Sequence, residues 1–77
     1  MRVQVYAVLK DYFEKEFEMD EPIQSIMDLN ATLIRRNPVA KKVLNISRYA
    51  VNDSFVDHDY QLNNNDIICI IPPSSGG

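Results

Sequence analysis

Along residues 2 to 9, Val3, Val5, Ala7 and Leu9 alternate with Arg2, Gln4, Tyr6 and Val8. That two-residue period predicts a strand from Arg2 to Leu9 with one face in a core. Residues 10 to 13 break the alternation. Glu14, Glu16 and Glu18 then alternate with Lys15, Phe17 and Met19, which predicts a half-exposed second strand at a sheet edge, where charges discourage pairing with other molecules.

Asp20-Glu21-Pro22 ends that strand, and Ser25 followed three residues later by Asp28 has the spacing of a capping box. A helix is predicted from there. Ile26, Leu29, Leu33 and Ile34 recur at helical spacing, so one stripe faces the sheet while Asp28, Asn30, Arg35 and Arg36 face water. Pro38 disfavours helical geometry at Asn37 and marks the stop. Pro38 to Leu44 can add a short second helical turn with Val39, Val43 and Leu44 inward.

Ser47 to Val51 predicts strand three, Asn52-Asp53 a two-residue hairpin turn and Ser54 to Val56 a short strand four. Asp57 to Asp66 is a polar connection pinned by Leu62, with Asn63-Asn64-Asn65 supplying a turn without glycine. Ile67 to Ile71 is apolar at both parities, as in a strand covered on both faces or central in its sheet. Pro72-Pro73 stops the ladder. The class is α+β, a mixed sheet of four to five strands with one main helix and a short second turn. Residues 1–71 form the domain and residues 72–77 a flexible C-terminal tail.

Size limits what such a domain can do. A chain of 77 residues buries only about 60% of the surface its unfolded form exposes, which leaves no room for a second lobe or an enclosed catalytic cleft. Its one cysteine, Cys69, has no partner for an internal disulfide. No run approaches the roughly 20 apolar residues of a membrane span. Met1 leads directly into the first strand with no charged-then-apolar leader, so a cytoplasmic protein without membrane contact is expected. The net charge is −3, with eight scattered basic residues, and no basic stripe marks a nucleic-acid site. After Arg48 every charge is acidic, which suggests that this end suits a basic docking surface.

The chain contains two glycines, and they are Gly76 and Gly77. Every turn upstream is built from Asn, Asp and Pro instead. A frayed end is the ordinary meaning of small terminal residues, but this tail is launched by a stiff Pro-Pro. Six residues from Pro72 reach about 20 Å when extended, and glycine lets backbone pass where a side chain would clash. Pro72, Pro73, Ser74, Ser75, Gly76 and Gly77 can therefore thread a narrow tunnel. The distinctive group at its tip is the α-carboxylate of Gly77, ionised at neutral pH and inert until activated. Attack on the α-phosphate of ATP would make an acyl adenylate, and a persulfide sulfur could displace AMP to give a thiocarboxylate.

Three stretches, Ala50 to Val56, Leu62 to Ile67 and Ile70 to Gly77, resemble the small subunit of molybdopterin synthase, the MoaD-type sulfur carriers. In that family the segment runs A-V-N, a few residues, L, a D-G-D turn, an apolar strand and P-P-x-x-G-G. The likeness covers the last thirty or so residues and the opening strand with Tyr6-Ala7; the middle is matched only in pattern. It departs at Asn64-Asn65-Asp66, where the family has glycine before the Asp; Asn tolerates positive φ, so the turn is expected to survive.

The resemblance implies the ubiquitin-like β-grasp fold and a non-catalytic subunit of an enzyme complex, with Gly77 carrying the sulfur and Gly76 beside it. It implies a MoeB-like adenylating enzyme that consumes ATP and a sulfur donor, a MoaE-like large subunit, a heterotetramer, and no cofactor bound to this chain. Tyr6, Phe55 and Ile71 would form the partner-binding patch. Singly each is an ordinary exposed apolar residue, but clustered at the root of the tail they mark an interface.

Cys69 is expected to be structural, and His58 a solvated loop residue without companions for a metal site. No nucleophile-base-acid constellation has support. Related carriers for thiamine thiazole synthesis or tRNA thiolation, a ubiquitin-like protein modifier joined through Gly77 to lysines, and a plain β-grasp domain with an idle tail remain the alternatives.

Overall fold

The computed structural model describes residues 1–73. The tail residues Ser74, Ser75, Gly76 and Gly77, including the expected reactive terminus, lie outside the described residues. Strand β1 (Arg2–Val5) is followed by a 3₁₀ turn (Ala7–Asp11), β2 (Glu16–Glu18), α1 (Ile26–Arg36), a 3₁₀ turn (Pro38–Ala40), α2 (Lys41–Ile46), β3 (Arg48–Val51), β4 (Ser54–Val56) and β5 (Ile67–Ile71). The five strands form one sheet in the order β2-β1-β5-β3-β4. Only β1 and β5 run parallel, and every other neighbouring pair is antiparallel. A hairpin, a crossing helix and a last strand returned to the centre beside the first make the β-grasp arrangement.

One face of the sheet is closed by helices. Val3, Val5, Tyr49, Val51, Ile68 and Ile70 point to that side and pack with Ile26, Leu29 and Leu33 of α1 and Leu44 of α2. Each fully buried aliphatic side chain contributes about 1.5–3 kcal/mol. Helix α1 starts where the capping box predicts: Ser25 Oγ accepts from the Asp28 amide at 3.2 Å. The Asp28 carboxylate reaches back to the Gln24 amide at 3.0 Å, one residue beyond the cap. The amides of Ile26 and Met27 donate to the carbonyls of Tyr60 and His58, so the long connection seals the helix start.

Three expectations need correction. The first strand does not continue to Leu9. Ala7 turns at φ 54, and Leu9 reaches the core from a 3₁₀ turn instead. Val39 faces outward at 75% exposed, and Ala40 and Leu44 are the buried residues of that segment. Asn30 is half-buried rather than simply solvated: its Oδ1 accepts from the Tyr49 hydroxyl at 2.5 Å and its amide donates to Asn45 at 3.1 Å. Ile67 to Ile71 takes the second of its two expected places, central in the sheet, with Ile67 on the open face 45% exposed.

The hairpin turn forms as expected, with Asn52 at φ 49 and Asp53 at φ 74, the left-handed pair a tight antiparallel hairpin requires. Asn64 and Asn65 adopt no positive φ. Their turn is closed instead by Asp66, whose amide donates to the Asn63 carbonyl at 3.1 Å while its carboxylate accepts from the Asn63 amide at 2.8 Å. Asn52 Nδ2 donates to the same carboxylate at 3.0 Å, and Asn52 Oδ1 accepts from the Ile67 amide at 3.1 Å. A buried aspartate thus ties the hairpin to the start of β5.

Candidate functional site, the open sheet face and the root of the tail

Strand registers fix which side chains share the uncovered face. Arg48 lies opposite Ile71, and the Tyr6 amide donates to the Ile70 carbonyl at 3.2 Å, so Arg48, Ile71 and Tyr6 form a row across the end of the sheet. The next row runs Phe55, Ala50, Cys69, Gln4, Glu16, each opposite the one before. Beyond it lie Ile67, Arg2 and Glu18. Pro72 follows Ile71 directly, which makes the first row the root of the tail. Pro72 is buried and Pro73 exposed.

Tyr6, Phe55 and Ile71 do share this face. Tyr6 is 43% exposed, Phe55 55%, and Ile71 half-buried. Tyr6 and Ile71 are neighbours across β1 and β5, whereas Tyr6 and Phe55 stand three strand spacings apart, about 14 Å. Cys69, Ala50 and Arg48 fill the space between them. Arg48 lays its guanidinium carbon 3.9 Å from the centre of the Phe55 ring, an attraction that also restrains both side chains. Sequence reading passed over Arg48, although its parity with Ala50 in the third strand carried the signal.

Cys69 is not a core residue. It is half-buried on the open face, with Sγ 3.4 Å from Gln4 Oε1 and 3.8 Å from Tyr6 Oη. The Tyr6 hydroxyl also donates to Gln4 Oε1 at 3.3 Å. Its hydrogen bond with Cys69, and secondly the charge Cys69 can carry, hold the Tyr6 phenol above its ordinary ionisation range. His58 is exposed and touches Tyr49 edge-on, ring centres 5.6 Å apart.

Among the described residues no cluster of three His, Cys, Asp or Glu side chains could hold a metal ion, and no helix is long and apolar enough to cross a membrane. Only part of the acidic stretch after Arg48 lies at the tail root among the described residues. Asp53 and Asp66 sit at the opposite end of the sheet, because β3 runs antiparallel to β5, and Asp66 is consumed by Asn52 and Asn63. Strand direction thus divides the acidic stretch: Asp57 shares a cleft with Arg48 at the root of the tail, and Asp53 and Asp66 lie toward the other end. What the face offers is an apolar and aromatic surface beside the exit of the chain. Such a surface is suited to docking.

A family model described as the ThiS family matches residues 3–77. The chain is 34% identical to a Dictyostelium discoideum protein named molybdopterin synthase sulfur carrier subunit, with 99% of this chain and 94% of the relative covered. Among solved structures, a Pyrococcus furiosus protein assigned as subunit 1 of a molybdopterin converting factor superposes with a TM-score of 0.82 at 22% identity, covering 94% of each chain. SAMP1 from Haloferax volcanii superposes at 0.80 and 16% identity, covering 99% of this chain and 97% of its own. At those identities the two show the fold. A complex of subunits 1 and 2 of molybdopterin-converting factor from Helicobacter pylori contains a chain with a TM-score of 0.71 and 25% identity, over 99% of this chain and 96% of that one.

Proposed function

The chain belongs to the ThiS family, and from that premise we propose that it is the sulfur-carrying small subunit of a molybdopterin synthase. The observation that carries the reading is the likeness to a named sulfur carrier subunit along 99% of this chain. The open face adds support, since a complex between subunits 1 and 2 is known for the Helicobacter pylori relative.

In the proposed cycle a MoeB-like enzyme brings ATP to the Gly77 carboxylate. A carboxylate oxygen attacks the α-phosphate and pyrophosphate leaves, which converts a poor electrophile into an acyl adenylate. The terminal sulfur of a persulfide donor displaces AMP, and a thiol then cleaves the resulting acyl disulfide to free the thiocarboxylate. Gly76, Ser74, Ser75 and the Pro72-Pro73 pair carry that group into a tunnel of a MoaE-like large subunit, where it donates sulfur for dithiolene formation. This chain does no catalysis. It holds no cofactor, and works in the cytoplasm within a heterotetramer of two small and two large subunits.

The scaffold contributes position. Apolar burial of Tyr6, Phe55 and Ile71 drives docking without directional demands, and the tail leaves from the same row as Tyr6 and Ile71. Docking the face therefore aims the terminus. Intact mass of the chain produced with its adenylating enzyme tests the reading, with one oxygen exchanged for sulfur expected at the C-terminus. Deleting Gly77 is expected to abolish sulfur transfer while leaving thermal unfolding unchanged. An unexchanged mass, or ligation of Gly77 to lysines of other proteins, would overturn the proposal.

A further inference from the structure

The molecule is acidic overall, yet three cations gather at the end of the open face that surrounds the tail root. Arg48 stands opposite Ile71 on one side of the exit. On the other side the Val5 amide donates to the Lys15 carbonyl at 3.0 Å, which holds Lys15 beside the end of β1. Lys10 joins it: with Gln4, Val5, Tyr6 and Glu16 the two lysines line a depression of about 250 Å³. Three cations therefore flank Tyr6 and Ile71.

None of these three is in an ion pair among the described residues. Arg2, the remaining cation of this face, is neutralised by Glu16 and by Glu18, the latter at 2.9 Å. Glu16 is held by Arg2, and Asp57 shares a cleft with Arg48 without pairing to it.

Solvated cations cost nothing while the face is free. A partner that covers the face strips their water, and a desolvated charge without a counter-charge is strongly unfavourable. Arg48 is also pre-organised, because stacking on Phe55 restrains the guanidinium and leaves its planar fork free for a bidentate acceptor. Resting on the docking role proposed above, we propose that the partner surface around the mouth that receives the tail carries carboxylates matched to Lys10, Lys15 and Arg48. These charges set orientation and partner choice, and the apolar face supplies most of the affinity.

The test uses the full chain and the purified large subunit at low and high salt. Lys10→Glu combined with Lys15→Glu, and separately Arg48→Glu, are expected to weaken binding by at least about tenfold at low salt, a gap that narrows at high salt. Arg48→Lys should lose less. The control is Lys41→Glu with Lys42→Glu, on α2, which applies the same charge change away from the face and should stay within about twofold of the parent. Carbodiimide coupling of the unaltered complex should join Lys10 or Lys15 to an Asp or Glu of the large subunit. Rim variants that track the control overturn this inference and leave the functional reading standing. Failure of the unaltered chain to bind the large subunit overturns both.

Discussion

Replacing Asp66 with alanine removes the carboxylate that joins three segments while leaving every side chain of the open face in place. Asp66 is 6% exposed and accepts from Asn52 Nδ2 at 3.0 Å and the Asn63 amide at 2.8 Å. Hydrogen bonds to a charged group contribute about 1.5–3 kcal/mol each, so two bonds set a ceiling of about 6 kcal/mol. Asn52 and Asn63 are exposed, and water can satisfy the abandoned donors, which roughly halves that ceiling. The expected loss is about 2–3 kcal/mol, or about 10–20 °C in Tm for a domain of this size.

Urea titration gives the free energy, and a double-mutant cycle with Asn52→Gly isolates the shared bond. Glycine is the right replacement there, because it retains the backbone freedom that φ 49 demands. The coupling should be about 1–2 kcal/mol. A loss under about 0.5 kcal/mol, or additive single effects, would refute the view that this carboxylate anchors the hairpin to β5.

Burial holds the Tyr49 phenol far above its ordinary ionisation range. The unfolded chain can ionise this group at about pH 10 and the folded chain cannot, so its contribution is intact below that value and stability falls as pH rises above it. Tyr49→Phe should remove that part of the alkaline loss and cost about 1 kcal/mol at neutral pH for the bond to Asn30; an unchanged alkaline slope would refute the assignment. Ala7 sits at φ 54, a conformation that costs an L-residue about 1–2 kcal/mol. Ala7→Gly should therefore stabilise slightly after the unfolded-state entropy of glycine is counted, and Ala7→Val should destabilise, with denaturant midpoints deciding the order. Phe55→Asp should leave unfolding unchanged and reduce affinity for the large subunit at least about tenfold; unaltered binding would remove Phe55 from the docking face.

The segment on which the family resemblance rests proves to be largely architectural in the structure. Asn52 and Asp66 are the two ends of the clamp between the hairpin and β5, and Ala50 is the small residue enclosed between Phe55 and Cys69. Their identities follow from backbone hydrogen bonding and space rather than from reactivity. Of the three proposed docking residues, Tyr6 was readable from parity alone, because it alternates with Val3 and Val5. The face Cys69 occupies was not readable, because Ile67 to Ile71 is apolar at both parities, and periodicity has no purchase on a run without polar positions.

Local pattern alone determined most of the elements, since alternation, capping and turn chemistry act over a few residues: the Ser25 cap, the stop before Pro38 and the Asn52-Asp53 turn formed where the chain announced them, and the edge strand formed within its announced span, shortened to Glu16–Glu18. The left-handed break at Ala7, the clamp at Asp66 and the basic rim were decided by tertiary structure. Each depends on which strands become neighbours and in which direction they run. Arg48 is 23 residues before Ile71 in the chain and directly opposite it in the sheet, and a distance of that kind exists only once the sheet has assembled.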